Sequence, residues 1–277
     1  IIKVRGMKMA YWLDIFSFPN SIEYEFKFAG KYGAKGEKRQ PKKKATPEQI
    51  KLQNQLNREI KVRRLIKANF FPEDLWVTLK YPAGTRKAVG EVKKDMRNFL
   101  DRLRREYRKR GHPLKFISRM EVGKRGGIHI HILVPRIRGE DTDLLVQEAW
   151  THGRANFQSV YEYGGYEKLA NYIVKPPDEE AAGQLSLFPE EERKEFIRYS
   201  CSRNLERPVP ERKTYRKWTL RRLVEEGIKP TPGYYIDESS IYSGINKFTG
   251  MSYLRYTECR IDTFSREEWN RERGGGG

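Results

Sequence analysis

The stretch Leu114–Val134, LKFISRMEVGKRGGIHIHILV, decides how this chain folds. It holds two apolar-rich runs around the turn GKRGG at 123–127, the pattern of a β-hairpin closed by a glycine-bearing loop. In the second run isoleucine and histidine alternate. Side chains two apart in a strand share a face, so Ile128, Ile130 and Ile132 are expected to enter the core while His129 and His131 project from the other side. A hairpin centred on Arg125 pairs residues whose numbers sum to 250, which sets Glu121 opposite His129 on the imidazole face. Two imidazoles and a carboxylate suit a divalent ion, Mn²⁺ or Mg²⁺, with Zn²⁺ also admitted by the donor set. Only four histidines occur in 277 residues, and two of them fall in this one strand. His112 and His152 lie in polar loop contexts and read as surface residues.

Outward from the hairpin, LWVTLKY at 75–81 reads as a strand, 87–110 as a long amphipathic helix, 141–150 and 166–175 as helices, and 155–163 as a strand between them. Strand, helix, hairpin, helix and strand in that order favour an α+β fold: a central antiparallel sheet with helices on one side. Ahead of this core, at 70–210, stands a basic N-terminal extension, 1–69. It contains a strand at 22–29, a glycine- and lysine-rich loop at 35–44, and a helix that Thr46 caps and Pro47 opens. That helix carries a basic stripe that would serve either solubility or DNA. Residues 178–192, DEEAAGQLSLFPEEE, read as an acidic loop inserted in the core. FIRYSCS at 196–202 reads as a strand. A C-terminal extension, 211–277, follows, with a short helix at 217–226, tyrosine-rich strands between 234 and 259, and a disordered tail from Gly274.

The formal net charge of +19 makes nucleic acid the leading partner. No apolar run is long enough to span a bilayer. With two cysteines in the chain, Cys201 and Cys259, neither a disulfide framework nor a zinc finger can be built, and a cytoplasmic setting is expected. No signal-peptide pattern stands at the N-terminus. The chain begins at Ile1 rather than Met, so residues ahead of Ile1 are expected to be missing.

In the helix at 166–175, Tyr166, Leu169, Ala170, Ile173 and Val174 form the apolar side, while Lys168, Tyr172 and Lys175 follow one another at helical spacing. Tyr172, flanked by cations, is therefore the candidate nucleophile, and Lys175 the group that would steady negative charge during attack on a phosphodiester.

His129-Ile130-His131 resembles the His-hydrophobic-His motif of HUH replication initiators, and Tyr172-Ile173-Val174-Lys175 resembles their Tyr-x-x-Lys motif. Leu75–Tyr81 is similar to the Thr-containing strand that precedes the histidines in phage and plasmid rolling-circle Rep proteins, and RYSCSRNLERP is similar to a segment that follows. The resemblance covers about residues 70–210. It implies a ferredoxin-like sheet, a metal held by His129, His131 and Glu121, and Tyr172 as nucleophile for a transient 5′-phosphotyrosine that leaves a free 3′-hydroxyl at a replication origin in single-stranded DNA. One tyrosine stands in the motif, and Lys80 interrupts the usual Thr-rich first strand. No Walker-type phosphate loop accompanies it, so a fused helicase is not expected. A relaxase or transposase would share the same chemistry. A histidine-triad hydrolase would need a histidine where Leu133 stands. A non-catalytic single-stranded nucleic-acid-binding protein needs neither metal nor tyrosine. Gln184-Leu185-Ser186-Leu187-Phe188 resembles the peptide by which bacterial polymerases dock on the sliding clamp, which makes the clamp an expected partner; the alternative is an apolar anchor for the loop.

Overall fold

The computed structural model describes residues 11–28, 45–123, 126–161, 165–177, 179–215, 223, 226–245 and 252–274. The loop at 35–44, the turn residues 124 and 125, most of the helix expected at 217–226 and the tail from 275 lie outside them. The chain divides into two compact units, one of residues 51–207 and one of residues 1–50 with 208–277. The two stretches read as separate terminal extensions therefore share a unit, and most of the helix assigned to the first extension belongs to the core.

In the first unit the strands are β1 (Tyr11–Phe18), β2 (Ser21–Phe28), β8 (Glu211–Tyr215), β9 (Tyr234–Ile245) and β10 (Ser252–Arg260). They form one antiparallel sheet in the order β8-β1-β2-β10-β9. Its core gathers Tyr11, Leu13, Phe26, Leu254 and Tyr256 from strands far apart in sequence. A closing helix, α7 (Arg266–Gly274), contains the first glycine of the expected tail.

The second unit holds β3 (Leu75–Lys80), α2 (Val89–Lys109), β4 (Ile117–Val122), β5 (Ile128–Val134), α3 (Thr142–Ala149) and β6 (Arg154–Ser159), then α4 (Gly165–Val174), α5 (Glu179–Leu185), α6 (Glu190–Ile197) and β7 (Tyr199–Cys201). The sheet order is β6-β3-β5-β4-β7, with every neighbour antiparallel. Without β7 this is the ferredoxin-like split βαβ arrangement, in which a helix links two strands that flank a third.

Helices cover both faces of this sheet, not one. On the first face, Val89, Val92, Phe99, Leu103 and Tyr107 of α2 recur at spacings of three and four or their sums and pack on Leu75, Val77, Leu79, Ile128, Ile130, Ile132 and Val134. On the second, Trp76, Ile117 and Leu133 meet Leu169, Ala170, Ile173 and Val174 of α4 and Val62, Leu65 and Ile66 of α1 (Pro47–Asn69). Helix α1 starts as expected: Gln49 N–H donates to Thr46 Oγ1 at 3.2 Å, and Thr46 N–H donates to Gln49 Oε1 at 3.0 Å. Part of its basic stripe is not on the surface, since Arg63 and Lys67 are buried.

The acidic stretch 178–192 is also not a loop. It supplies α5 and the start of α6, and Leu185 enters the core beneath α2.

The end of β3 is fixed by a polar cluster. Asp95 of α2 accepts from Tyr81 Oη at 2.9 Å and lies 3.3 Å from Nε2 of His152, which packs edge-on against Trp150; His152 is thus held in a cluster rather than standing as a plain surface residue. Trp150 Nε1 donates to the Lys80 carbonyl at 3.3 Å. Gly153, at φ +146°, brings its backbone so near that a Cβ there would stand 2.2 Å from the Lys80 carbonyl oxygen. Backbone cannot yield as a side chain end can. Gly153→Ala is therefore expected to destabilise the protein by roughly 2–3 kcal/mol, read from the urea unfolding midpoint, and an unchanged midpoint would contradict this account of the junction.

Candidate active site

The face of the sheet turned towards α1 and α4 is apolar at one end and polar at the other. Cross-strand pairs arrange the polar end in two rows. One runs Asn156, Thr78, His131, Arg119 and Tyr199 across β6, β3, β5, β4 and β7; the other runs Arg154, Lys80, His129 and Glu121 across β6, β3, β5 and β4. Glu121 and His129 are direct partners, the pairing expected from the hairpin.

Tyr172 reaches this face from the last turn of α4. Its hydroxyl donates to Glu121 Oε2 and lies 3.0 Å from His131 Nε2, and that nitrogen is 3.0 Å from Glu121 Oε2. Three side chains from three elements thus meet at one point. The imidazole is steadied from behind by Thr78, whose Oγ1 is 3.1 Å from Nδ1. With Nδ1–H donating to that hydroxyl, Nε2 presents its lone pair to the cluster.

Aromatic rings and cations enclose the phenol. Trp76 stacks on His131 with centroids 5.6 Å apart and meets the Tyr172 ring edge-on at 5.9 Å. Lys175 sets Nζ over the Tyr172 ring, 4.8 Å from its centroid, where the cation favours a phenolate. Arg119, only 3% exposed, donates from Nη1 to the Tyr172 carbonyl at 2.6 Å, tying the end of α4 to β4. Its Nε is buried without a hydrogen-bond partner among the described residues. Trp76, Thr78 and Arg119 were not singled out from sequence. The signal available was the alternation of β3 and β4, which puts Trp76, Thr78 and Lys80 on one side of β3 and Arg119 beside Glu121 on β4.

The electrostatics keep the acid charged and His129 neutral. Burial alone would raise the Glu121 carboxyl, but hydrogen bonds from His131 and Tyr172 and the nearby charges of His131 and Arg119 outweigh it and hold it down at about 2. Burial lowers the His129 pKa, and the charges of His131 and Lys80 lower it further against the pull of Glu121. A neutral imidazole is the form that binds metal.

The structure brings Tyr172, Lys175, Glu121 and His131 together. His129 lies on the same face but outside the hydrogen-bonded cluster, its Cε1 2.9 Å from where a Cβ on Gly123 would be. Among the described residues no three His, Cys, Asp or Glu side chains stand gathered as a metal cage. The donor chemistry nevertheless fits a divalent ion: an imidazole nitrogen and a carboxylate oxygen converge, and a second, neutral imidazole faces the carboxylate in register.

The clamp-like peptide 184–188 is folded against the protein. Leu185 is buried, Phe188 packs on Phe196 at 5.1 Å, and Arg193 donates to the carbonyls of Phe188 and Ser186 at 2.9 and 3.0 Å. Leu187 is exposed, and Ser186 Oγ turns back to the Gly183 carbonyl at 2.6 Å. Gln184 lies over Gly126 at the hairpin turn. The display expected of a flexible docking peptide is thus replaced by an anchored turn.

Two measurements check this description. The Glu121 carboxyl is lower in the folded state, so the stability it contributes is present above about pH 4.5 and is lost as pH falls towards 2. In EDTA, Glu121→Gln is expected to unfold with a shallower acid dependence across that window than wild type; matching slopes would count against the network. Leu185→Ala is expected to lower stability by about 2–4 kcal/mol in chemical denaturation, whereas a peptide held free of the core would cost little.

No curated protein and no solved structure matches the chain. A family model does, over the segment that carries every member of the cluster, from Asp74 just ahead of β3 to Pro177 just behind α4. Residues 74–177 match the family of the replication-associated protein ORF2, a family of rolling-circle replication initiators.

Proposed function

We propose that residues 51–207 form a metal-dependent endonuclease that nicks and rejoins single-stranded DNA through Tyr172 and so starts rolling-circle replication. The observation that carries this reading is the convergence of the Tyr172 hydroxyl, His131 Nε2 and Glu121 Oε2 at one point. The family matched over residues 74–177 supports it, as does a net charge of +19. Glu121, His131 and, after a side-chain rotation, His129 would hold a Mn²⁺ or Mg²⁺ ion. When bound, such an ion supplies charge withdrawal from a phosphate oxygen.

The chain's own residues do the rest. The Tyr172 oxygen attacks phosphorus, forming a tyrosine O–P bond as the bond from phosphorus to the 3′ oxygen breaks. The phenolic proton leaves through Glu121, the carboxylate that already accepts its hydrogen bond, to solvent. The departing 3′ oxygen takes a proton from water, which leaves a free 3′-hydroxyl to prime a polymerase. Rejoining runs these changes in reverse. A free phenol ionises near pH 10, so the Lys175 cation over the ring is the protein's means of making the phenolate accessible at neutral pH.

The test mixes the protein with labelled single-stranded DNA from its own replicon and Mn²⁺, and resolves covalent protein–DNA adducts on denaturing gels. Wild type is expected to give an adduct that is absent with Tyr172→Phe and with EDTA, and reduced roughly a hundredfold or more in His131→Ala. Adducts that persist in Tyr172→Phe would remove the tyrosine from its role. No adduct on any origin strand would leave a binding protein.

A further inference from the structure

Lys80 and Arg154 are direct cross-strand partners at the polar end of the sheet, two cations side by side on the face that carries His129, His131 and Glu121. Like charges facing each other across a ladder are destabilising, and nothing local offsets them: among the described residues neither cation forms an ion pair. Both positions are also fixed. Trp150 holds the Lys80 carbonyl, and Gly153 presses its backbone on the same oxygen one residue before Arg154. Lys80 is half-buried and Arg154 is exposed on β6, the edge strand, so the pair opens to solvent beside the cluster. Asn156 and Gln158, also exposed and on the same face, continue the polar edge.

We infer that Lys80 and Arg154 together bind one backbone phosphate of the DNA strand, next to the phosphate cleaved at Tyr172. The spacing allows it. Arg154 is two strands from His129, about 10 Å across the sheet, and both side chains are long enough to meet a single phosphate lying between the edge and the cluster. An anion there removes the mutual repulsion of the two cations, which gives the pair a reason to exist in a sheet that otherwise matches charge with charge. Only the identification of the neighbouring phosphate as the scissile one rests on the nicking reading.

The experiment measures binding of a fluorescent oligothymidylate to the Tyr172→Phe protein in EDTA across a salt series, so neither cleavage nor metal enters. Lys80→Gln with Arg154→Gln is expected to weaken binding on the order of fivefold at about 0.1 M salt and to reduce the slope of log K against log salt by about 0.7, the value for one phosphate on a single strand. The control removes two exposed cations from α2 on the opposite face, Arg105→Gln with Arg108→Gln, and is expected to change the slope much less. The swapped pair, Lys80→Arg with Arg154→Lys, keeps both charges and is expected to restore the wild-type slope, which separates charge from folding. An equal loss in the α2 control would mean a diffuse field and would overturn the proposal, as would an unchanged slope in the β3–β6 double variant. If the slope falls as expected while wild type forms no covalent adduct, the phosphate site stands and the nicking reading fails.

Discussion

The antiparallel register of β4 on β5 is the constraint on which the rest of the second unit depends. With Glu121 opposite His129 and Arg119 opposite His131, four polar side chains share one face while Ile128, Ile130, Ile132 and Val134 enter the core on the other. A slip of one residue would exchange the faces, burying the histidines under α2 and turning the isoleucines outward. The apolar cost of that exchange holds the register, so the core itself enforces the geometry of the site. Gly123 assists at the turn, where any larger residue would displace the His129 ring.

A sheet covered on both faces would leave no room for polar chemistry if both coverings were complete. Here α1 and α4 pack over Trp76, Ile117 and Leu133 and stop short of the polar rows. Tyr172 stands at that boundary: its ring rests on Trp76 and its hydroxyl lies among the charged groups. The phenol is thereby held by packing on one side and by hydrogen bonds on the other, with Arg119 fixing the helix end by its backbone. Such a residue is positioned by rigid elements rather than by a loop, which favours reproducible geometry at a reacting atom.

The acidic stretch after α4 illustrates how composition can mislead. Its charge and bounding prolines resemble a solvated insert, but Leu185, Phe188 and Phe196 are spaced to turn inward once α5 and α6 form, and they close the core beneath α2. Three acidic residues in the first turn of α6 also suit a helix N-terminus, where negative charge is favoured.

The sequence by itself determined what short-range periodicity can determine. The strands at 75–80, 117–122 and 128–134, the helices at 89–109 and 165–174, and the pairing of Glu121 with His129 were all legible, because a period of two or 3.6 and one glycine-bearing turn fix which side chains share a face. Tyr172 was legible as a residue off its helix's apolar stripe. What only the tertiary structure decided required contacts distant in sequence. These are the second helical layer over the site, the meeting of Tyr172 with His131 and Glu121, the closure of Asp95 on His152 and Tyr81, and the joining of residues 11–28 with 211–260 in one sheet. The strand at 11–18, YWLDIFSF, shows why: its apolar and polar residues do not alternate cleanly, since Asp14 is buried against Arg212 nearly two hundred residues away. Non-local pairing leaves no periodic trace in either partner, and the chain has to be closed before such neighbours are known.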